Sequence, residues 1–290
     1  MAAKVEDFAG KVTIADGAWG TELDKLGCPP GYCREEWNVS QPEVVEQVPR
    51  AYVAAGSQVI LTNTFGANRF VLAGHGCEAR VAEFNRTGAQ ISKRAAGSKA
   101  KVFGSIGPSG KIVMMGEVSE DDLLAAFKDQ AAALADGGVD GLAVETMTEL
   151  AEAVAAVRAA KTTGLPVVGC MTYDSGRDKT STMMGVTPEQ AAAALGEAGA
   201  DIIGCNCGIG IDNYIAVAGK LRAASDKLIW VKANAGLPEI VDNKVVYHMT
   251  PDEFAEKVKL LIQAGANIVG GCCGTSPEFI AAIRKVLGRR

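Results

Sequence analysis

The chain has 290 residues, 48% of them hydrophobic and 22% charged, with a formal net charge of −5 and a pI near 5.3. That length and apolar content allow a large buried core, in one barrel-sized domain or two smaller ones. The acidic balance and the lack of any long Lys/Arg run exclude a nucleic-acid partner and a charged membrane patch, and no apolar stretch is long enough to span a bilayer.

The N-terminal MAAKVEDFAG has acidic residues and no apolar core of a signal peptide, so a cytoplasmic protein is expected. In chain order, the strand candidates are KVTIAD from Lys11, AAGSQVILTN from Ala54, KVFGSIGP from Lys101 and DGGVDGLAVE from Asp136. LPVVGCMTY from Leu165, EAGADIIGCN from Glu197, KLIWVKANAG from Lys227 and QAGANIVGGC from Gln263 complete the set. The segments from Ala54, Asp136, Glu197 and Gln263 share a pattern. In each, a glycine suited to end a helix precedes a short apolar run suited to a strand buried on both faces. The connecting segments carry helical patterns. Ser119 is expected to cap a helix with acids in its first turn, and Thr187 and Thr250 are each followed by proline at the first helical position. Eight strands alternating with helices indicate an α/β chain, read as a single (β/α)8 TIM barrel over residues 1–290, with a doubly wound open sheet as the alternative.

The unusual residues gather at the C-terminal ends of these strands, in DGAWGTE, TNTFGAN, GSIGP, ET, GCNCG, KANAG and GGCCGT. In a barrel those ends form one face, on which active sites are built. Cys205 or Cys207 would there approach Cys272 and Cys273. Three thiolates at one point make a soft site suited to zinc or to an iron–sulfur cluster. Gly270, Gly271 and Gly274 are expected to relax the backbone so that two adjacent cysteines can face one ion.

The chain has eight cysteines and two histidines, so chemistry built on several histidines is excluded. An isolated buried cysteine is ordinarily a small hydrophobe, the reading given to Cys28, Cys33, Cys77 and Cys170. A disulfide between Cys272 and Cys273 would be strained and out of place in a reducing compartment. Zinc with three thiolates carries a net charge of −1 and is a poor activator of water. It is better suited to holding a fourth sulfur as an electron-rich thiolate, which implies attack by a substrate thiol on an electrophilic carbon such as a methyl group.

The same motifs, in kind and order, resemble the homocysteine S-methyltransferase family: DGAWGTEL at Asp16, TNTFGAN at Thr62, GSIGP at Gly104, ET at Glu145, GCNCG at Gly204, KANAG at Lys232 and GGCCGTSP at Gly270. The resemblance covers essentially the whole chain and is nearest to the homocysteine-binding module of cobalamin-dependent methionine synthases. The glycine after the cysteine pair points the same way, since relatives that use S-methylmethionine typically have arginine there. The resemblance implies one zinc ion on Cys207, Cys272 and Cys273, with the substrate sulfur as fourth ligand and Asn234 as a substrate-free ligand. It also implies that Glu145 receives the substrate ammonium, with Asp16 nearby. Backbone N–H groups around Gly17, Trp19, Gly20 and Thr21 would hold the carboxylate, as a glycine-rich turn lets amides approach an anion.

One departure stands out: the family's first loop commonly has methionine where this chain has Trp19, which would reshape the pocket mouth. The chain ends at Arg290, directly after the last helical segment, so the methyl donor is expected to arrive separately. Candidates are a methylated corrinoid protein that carries cobalamin, a small methylated compound or a folate-bearing partner. The expected function is zinc-dependent methyl transfer to homocysteine to give methionine. The alternatives are a different small thiol acceptor, a non-catalytic thiol-binding subunit of a corrinoid methyl-transfer system, and, more remotely, an iron–sulfur (de)hydratase.

Overall fold

The caps expected from the sequence set the helix starts. Ser119 Oγ accepts from the Asp122 amide, and Thr187 and Thr250 close capping boxes with Gln190 and Glu253. The glycines that precede the strands also behave as expected: Gly56, Gly138, Gly199 and Gly265 all take positive φ.

The computed structural model describes residues 3–241 and 244–289. Its strands are β1 Thr13–Ile14, β2 Val59–Ile60, β3 Lys101–Ile106, β4 Gly141–Met147, β5 Val167–Met171, β6 Ile202–Cys207, β7 Leu228–Ala233, β8 Glu239–Val241, β9 Lys244–Val246 and β10 Ile268–Gly271. Eight of them form one parallel sheet in the order β1-β10-β7-β6-β5-β4-β3-β2. The edges β1 and β2 meet: the Gln58 amide donates to Ile14 O at 2.7 Å, and Ser57 Oγ donates to Ala15 O at 3.3 Å. The result is a nearly closed barrel, with a helix after each barrel strand, from Pro42–Ala55 round to Pro277–Val286. This is the (β/α)8 architecture, and it replaces the open-sheet alternative. The antiparallel hairpin β8–β9 inserted after β7 lies outside the eight-strand expectation.

The barrel interior divides by height. Its lower part is apolar, with Ala15, Leu61, Phe103, Val168, Cys170, Ile202, Trp230 and Ile268 packed together and Phe8 against Phe103 at 5.9 Å. Close packing dictates Gly204, because a Cβ there would lie 2.0 Å from the Trp230 carbonyl oxygen. Two residues further along the interior columns, the side chains become polar: Ser105 on β3, Glu145 on β4, Asn206 on β6 and Lys232 on β7. The site rests on that change.

Candidate metal and substrate site

Strand β10 ends at Gly271, and Cys272 and Cys273 fall in the turn that follows. The Cys272 amide still donates to Ala233 O at 2.8 Å, while Thr275 N closes the turn onto Cys272 O at 3.1 Å. The adjacent cysteines therefore escape strand alternation because the strand has already stopped. Gly270 and Gly271 are small because a neighbour is close: a Cβ would meet Asp16 O at 2.6 Å or Thr275 Oγ1 at 2.2 Å. That differs from the expectation that both relax the backbone. The relaxed positions are Gly274, at φ +80, and Cys207 itself, at φ 65.

The sulfurs of Cys207, Cys272 and Cys273 lie within 4.8 Å of one another. Cys205, one residue before Asn206, is fully buried in the outer core instead, packed between sheet and helices. Hydrogen bonds from the Cys272 and Cys273 thiols pull Cys207 down to about 3. The same pairing pushes Cys272 up to about 11 and Cys273 up as well. The cluster thus accepts one negative charge readily and resists further ionisation unless a cation compensates it. A tetrahedral thiolate centre with metal–sulfur distances of about 2.3 Å needs its sulfurs about 3.8 Å apart, a spacing this triad can adopt with little movement. The donor set fits a soft dication. Beside it, Asn234 Nδ2 donates to Gly208 O at 2.6 Å while its Oδ1 is buried without a partner.

Glu145 is buried under this cluster. Its Oε1 accepts from Ser105 Oγ at 2.5 Å and its Oε2 from Asn206 Nδ2 at 3.4 Å. Burial pushes its carboxyl up to about 7, with the Lys232 charge pulling the other way. Asp16 is fully engaged: Oδ1 pairs with Lys232 Nζ at 2.5 Å, and Oδ2 accepts from Trp19 Nε1 at 2.9 Å and from the Leu61 amide at 2.7 Å. Burial disfavours the Lys232 charge, but Asp16, Glu145 and Cys272 together hold its pKa above the ordinary lysine value.

The first loop carries Gly17 and Trp19 into the short helix Gly20–Lys25, whose leading N–H groups have no acceptor within the helix. Thr275 ties this loop to the cysteine turn: its Oγ1 accepts from the Ala18 amide at 3.2 Å and donates to Cys272 O at 2.7 Å. In the first turn of that helix, Thr21 Oγ1 is buried without a partner. Loop, carboxylate and sulfurs therefore share one end of the barrel.

A family model described as homocysteine S-methyltransferase matches residues 13–287. The chain belongs to the homocysteine S-methyltransferase family. Among curated relatives, the methionine synthase of Mycobacterium leprae (strain TN) is 32% identical over 306 residues, covering 98% of this chain and 25% of the relative. The methionine synthase of Mycobacterium tuberculosis (strain ATCC 25618 / H37Rv) is 33% identical over 294 residues, covering 94% and 24%. The chain thus spans about a quarter of the length of these relatives. The metallated form of the homocysteine methyltransferase MmuM from Escherichia coli matches with a TM-score of 0.80, 24% identity, and coverage of 97% of this chain and 98% of that one. This last likeness is one of fold.

In this family member, Trp19 is tied to Asp16 rather than loose at the mouth. His248 pairs with Glu239 at 2.8 Å on the surface. Cys28, Cys33 and Cys170 are buried, and Cys77 is half-buried. Sequence reasoning quoted Lys232 and Asn206 inside their motifs but assigned neither a place in the site. A charged residue at an interior strand position among small and apolar neighbours was the signal for Lys232. No helix among the described residues is long and apolar enough to cross a membrane.

Proposed function

We propose that the chain transfers a methyl group to the sulfur of homocysteine to give methionine, with one zinc ion held by Cys207, Cys272 and Cys273. The observation that carries this reading is the convergence of three sulfurs above a buried carboxylate, with Asn206 reaching both Glu145 and the Cys272 sulfur. Two buried oxygens, Asn234 Oδ1 after β7 and Thr21 Oγ1 in the helix after β1, are without partners. Zinc bound there would lower the pKa of a thiol brought to it, so that the substrate sulfur is nucleophilic at neutral pH.

The chain's own residues bind and orient the substrate. Glu145, with its carboxyl near 7, receives the ammonium and gives up its proton as the opposite charge arrives. Amides of Gly17, Trp19, Gly20 and Thr21 hold the carboxylate, and the Thr21 hydroxyl gains a partner. Asp16 supports this pocket by fixing Trp19 and Lys232. Asn234 Oδ1 stands beside Cys207 as an oxygen donor for the substrate-free site.

The methyl donor, in this reading, is presented by a protein or a further domain, with a methylated corrinoid carrier as the first to test. Exposed apolar side chains lie on the segments that follow β2, β3, β5 and β7, at the C-terminal end of the barrel: Phe65, Met114, Met115, Met183, Ile240 and Val245 are 42% to 79% exposed. Such a rim suits a macromolecular partner better than a small soluble donor. The test is a donor panel with zinc-loaded protein and homocysteine, scored for methionine. Turnover with a methylated corrinoid protein supports the reading, turnover with small methylated compounds alone removes the protein donor, and methylation of cysteine in preference to homocysteine replaces the acceptor. Thiol binding with no turnover on any donor would favour a thiol-binding subunit.

A further inference from the structure

The hairpin β8–β9 is a two-stranded ribbon with Ile240 opposite Val245, both largely exposed, and such a ribbon has little stability of its own. One residue beyond it the chain reverses character. Tyr247 is half-buried and packs against the main core. Its ring lies on Gly274, where a Cβ would fall 2.3 Å from the ring Cγ and 2.5 Å from Cδ1. Gly274 also takes φ +80, so two separate constraints exclude a side chain immediately after the cysteine pair. Gly274 and Tyr247 therefore form a unit: a bulkier residue at 274 would expel the ring.

A backbone contact ties the loop before the hairpin to the cysteine turn. The Ala235 amide, on the loop leading into the hairpin, donates to Cys273 O at 3.0 Å. Tyr214, on the helix Ile211–Ala224, crowds Gly208, where a Cβ would lie 2.6 Å from its hydroxyl.

We propose that Tyr247 is a positioning residue of the thiolate site, its ring, seated on Gly274, walling the adjacent Cys273 from solvent on the hairpin side. This rests on the cysteine cluster being the zinc site. With that side closed, the open approach to Cys273 is from the Glu145 side, where the amino acid is proposed to bind. The hairpin then has a role in the reaction centre: it delivers the ring.

The test compares wild type, Tyr247→Phe and Tyr247→Ala in two measurements that need no turnover. The first is zinc release from loaded protein to a chromogenic chelator. The second is iodoacetamide alkylation of zinc-free protein, mapped residue by residue by mass spectrometry. Tyr247→Ala is expected to release zinc about tenfold faster or more, at the low end for groups that support metal ligands, and to alkylate faster at Cys273. Tyr247→Phe, which keeps the ring, should protect Cys273 from alkylation and hold zinc as wild type does. Half-buried Cys77, outside the cluster, reports general loosening. Wild-type rates in Tyr247→Ala would overturn the proposal, as would equal acceleration at Cys77 and Cys273. If wild type holds no zinc, the zinc reading fails, and the alkylation pattern still decides for or against the wall.

Discussion

Asn206 reaches the Glu145 carboxylate at 3.4 Å through the same side-chain nitrogen that stands 3.9 Å from the Cys272 sulfur. Its Nδ2 also donates to Thr146 Oγ1 at 2.7 Å, and its Oδ1 accepts from the Thr146 amide at 2.7 Å. Thr146 and Cys207 are both non-glycine residues at positive φ, 64 and 65, and Asn206 adjoins one and braces the other. Backbone strain of this kind persists only where surrounding contacts enforce it. Asn206→Ala should therefore leave the Thr146 amide unsatisfied, costing about 1–3 kcal/mol of stability. It should also weaken homocysteine and zinc binding together, by about 10–100-fold for the metal. Calorimetric titration of each ligand checks this, and loss of one affinity without the other would contradict the linkage.

Glu145 makes a prediction about pH. Its folded carboxyl lies near 7, above the 4.5 of an unperturbed glutamate, with burial as the main cause. A folded state that binds the proton more tightly than the unfolded chain loses stability as pH rises. No penalty exists below about 4.5; it grows to about 7 and is complete above, on the order of 3 kcal/mol at most. Denaturant unfolding of zinc-free protein at pH 5 and pH 8 should show a larger loss for wild type than for Glu145→Gln. Equal losses would remove the buried-acid account. The same variant should bind homocysteine poorly, because a neutral amide cannot pair with the ammonium.

Lys232 and Asp16 are both almost fully buried, so removing one leaves the other's charge uncompensated. Lys232→Met should cost about 3–5 kcal/mol, and the double variant with Asp16→Asn should recover much of that loss. Thermal unfolding separates the cases, and Trp19 fluorescence reports whether the indole leaves Asp16. A single variant as stable as wild type would show that the pair is not holding the loop.

Two glycines, Gly204 in β6 and Gly219 in the helix that follows it, predict opposite outcomes. Gly204→Ala drives a Cβ into the Trp230 carbonyl, which is backbone and cannot swing aside, so a loss of about 1–3 kcal/mol or more is expected. Gly219, within the helix Ile211–Ala224, has open space around it, so Gly219→Ala should be neutral or stabilising by up to about 1 kcal/mol. Comparable melting temperatures for the two variants would contradict the packing described for the barrel interior.

Most of the barrel was legible because each strand carried its own local signals. A helix-ending glycine, an apolar run and a polar end recur at Gly56, Gly199 and Gly265, and threonine or serine caps with acidic or proline-bearing first turns mark the next helix. The strand-end positions also brought Cys272 and Cys273 together with Cys205 or Cys207, and only the family resemblance chose Cys207. What escaped was set by contacts between strands. That Asp16 would be occupied by Lys232, Trp19 and Leu61 depends on β1 lying beside β10 and β2 across the closure. The hairpin β8–β9 escaped because its two strands are only three residues each and their apolar side chains face solvent, giving no core-facing alternation to read. Tyr247 escaped with it, because only the fold reveals that its ring occupies the place of a side chain at Gly274.

The central claim is that three cysteine sulfurs hold zinc with a fourth position for homocysteine sulfur. X-ray absorption at the zinc edge, on loaded protein with and without homocysteine, tests it most directly. The account predicts three sulfurs at about 2.3 Å and one oxygen or nitrogen ligand without substrate, and four sulfurs with it. An unchanged coordination shell on saturation with homocysteine, or fewer than three sulfurs in either state, would contradict it.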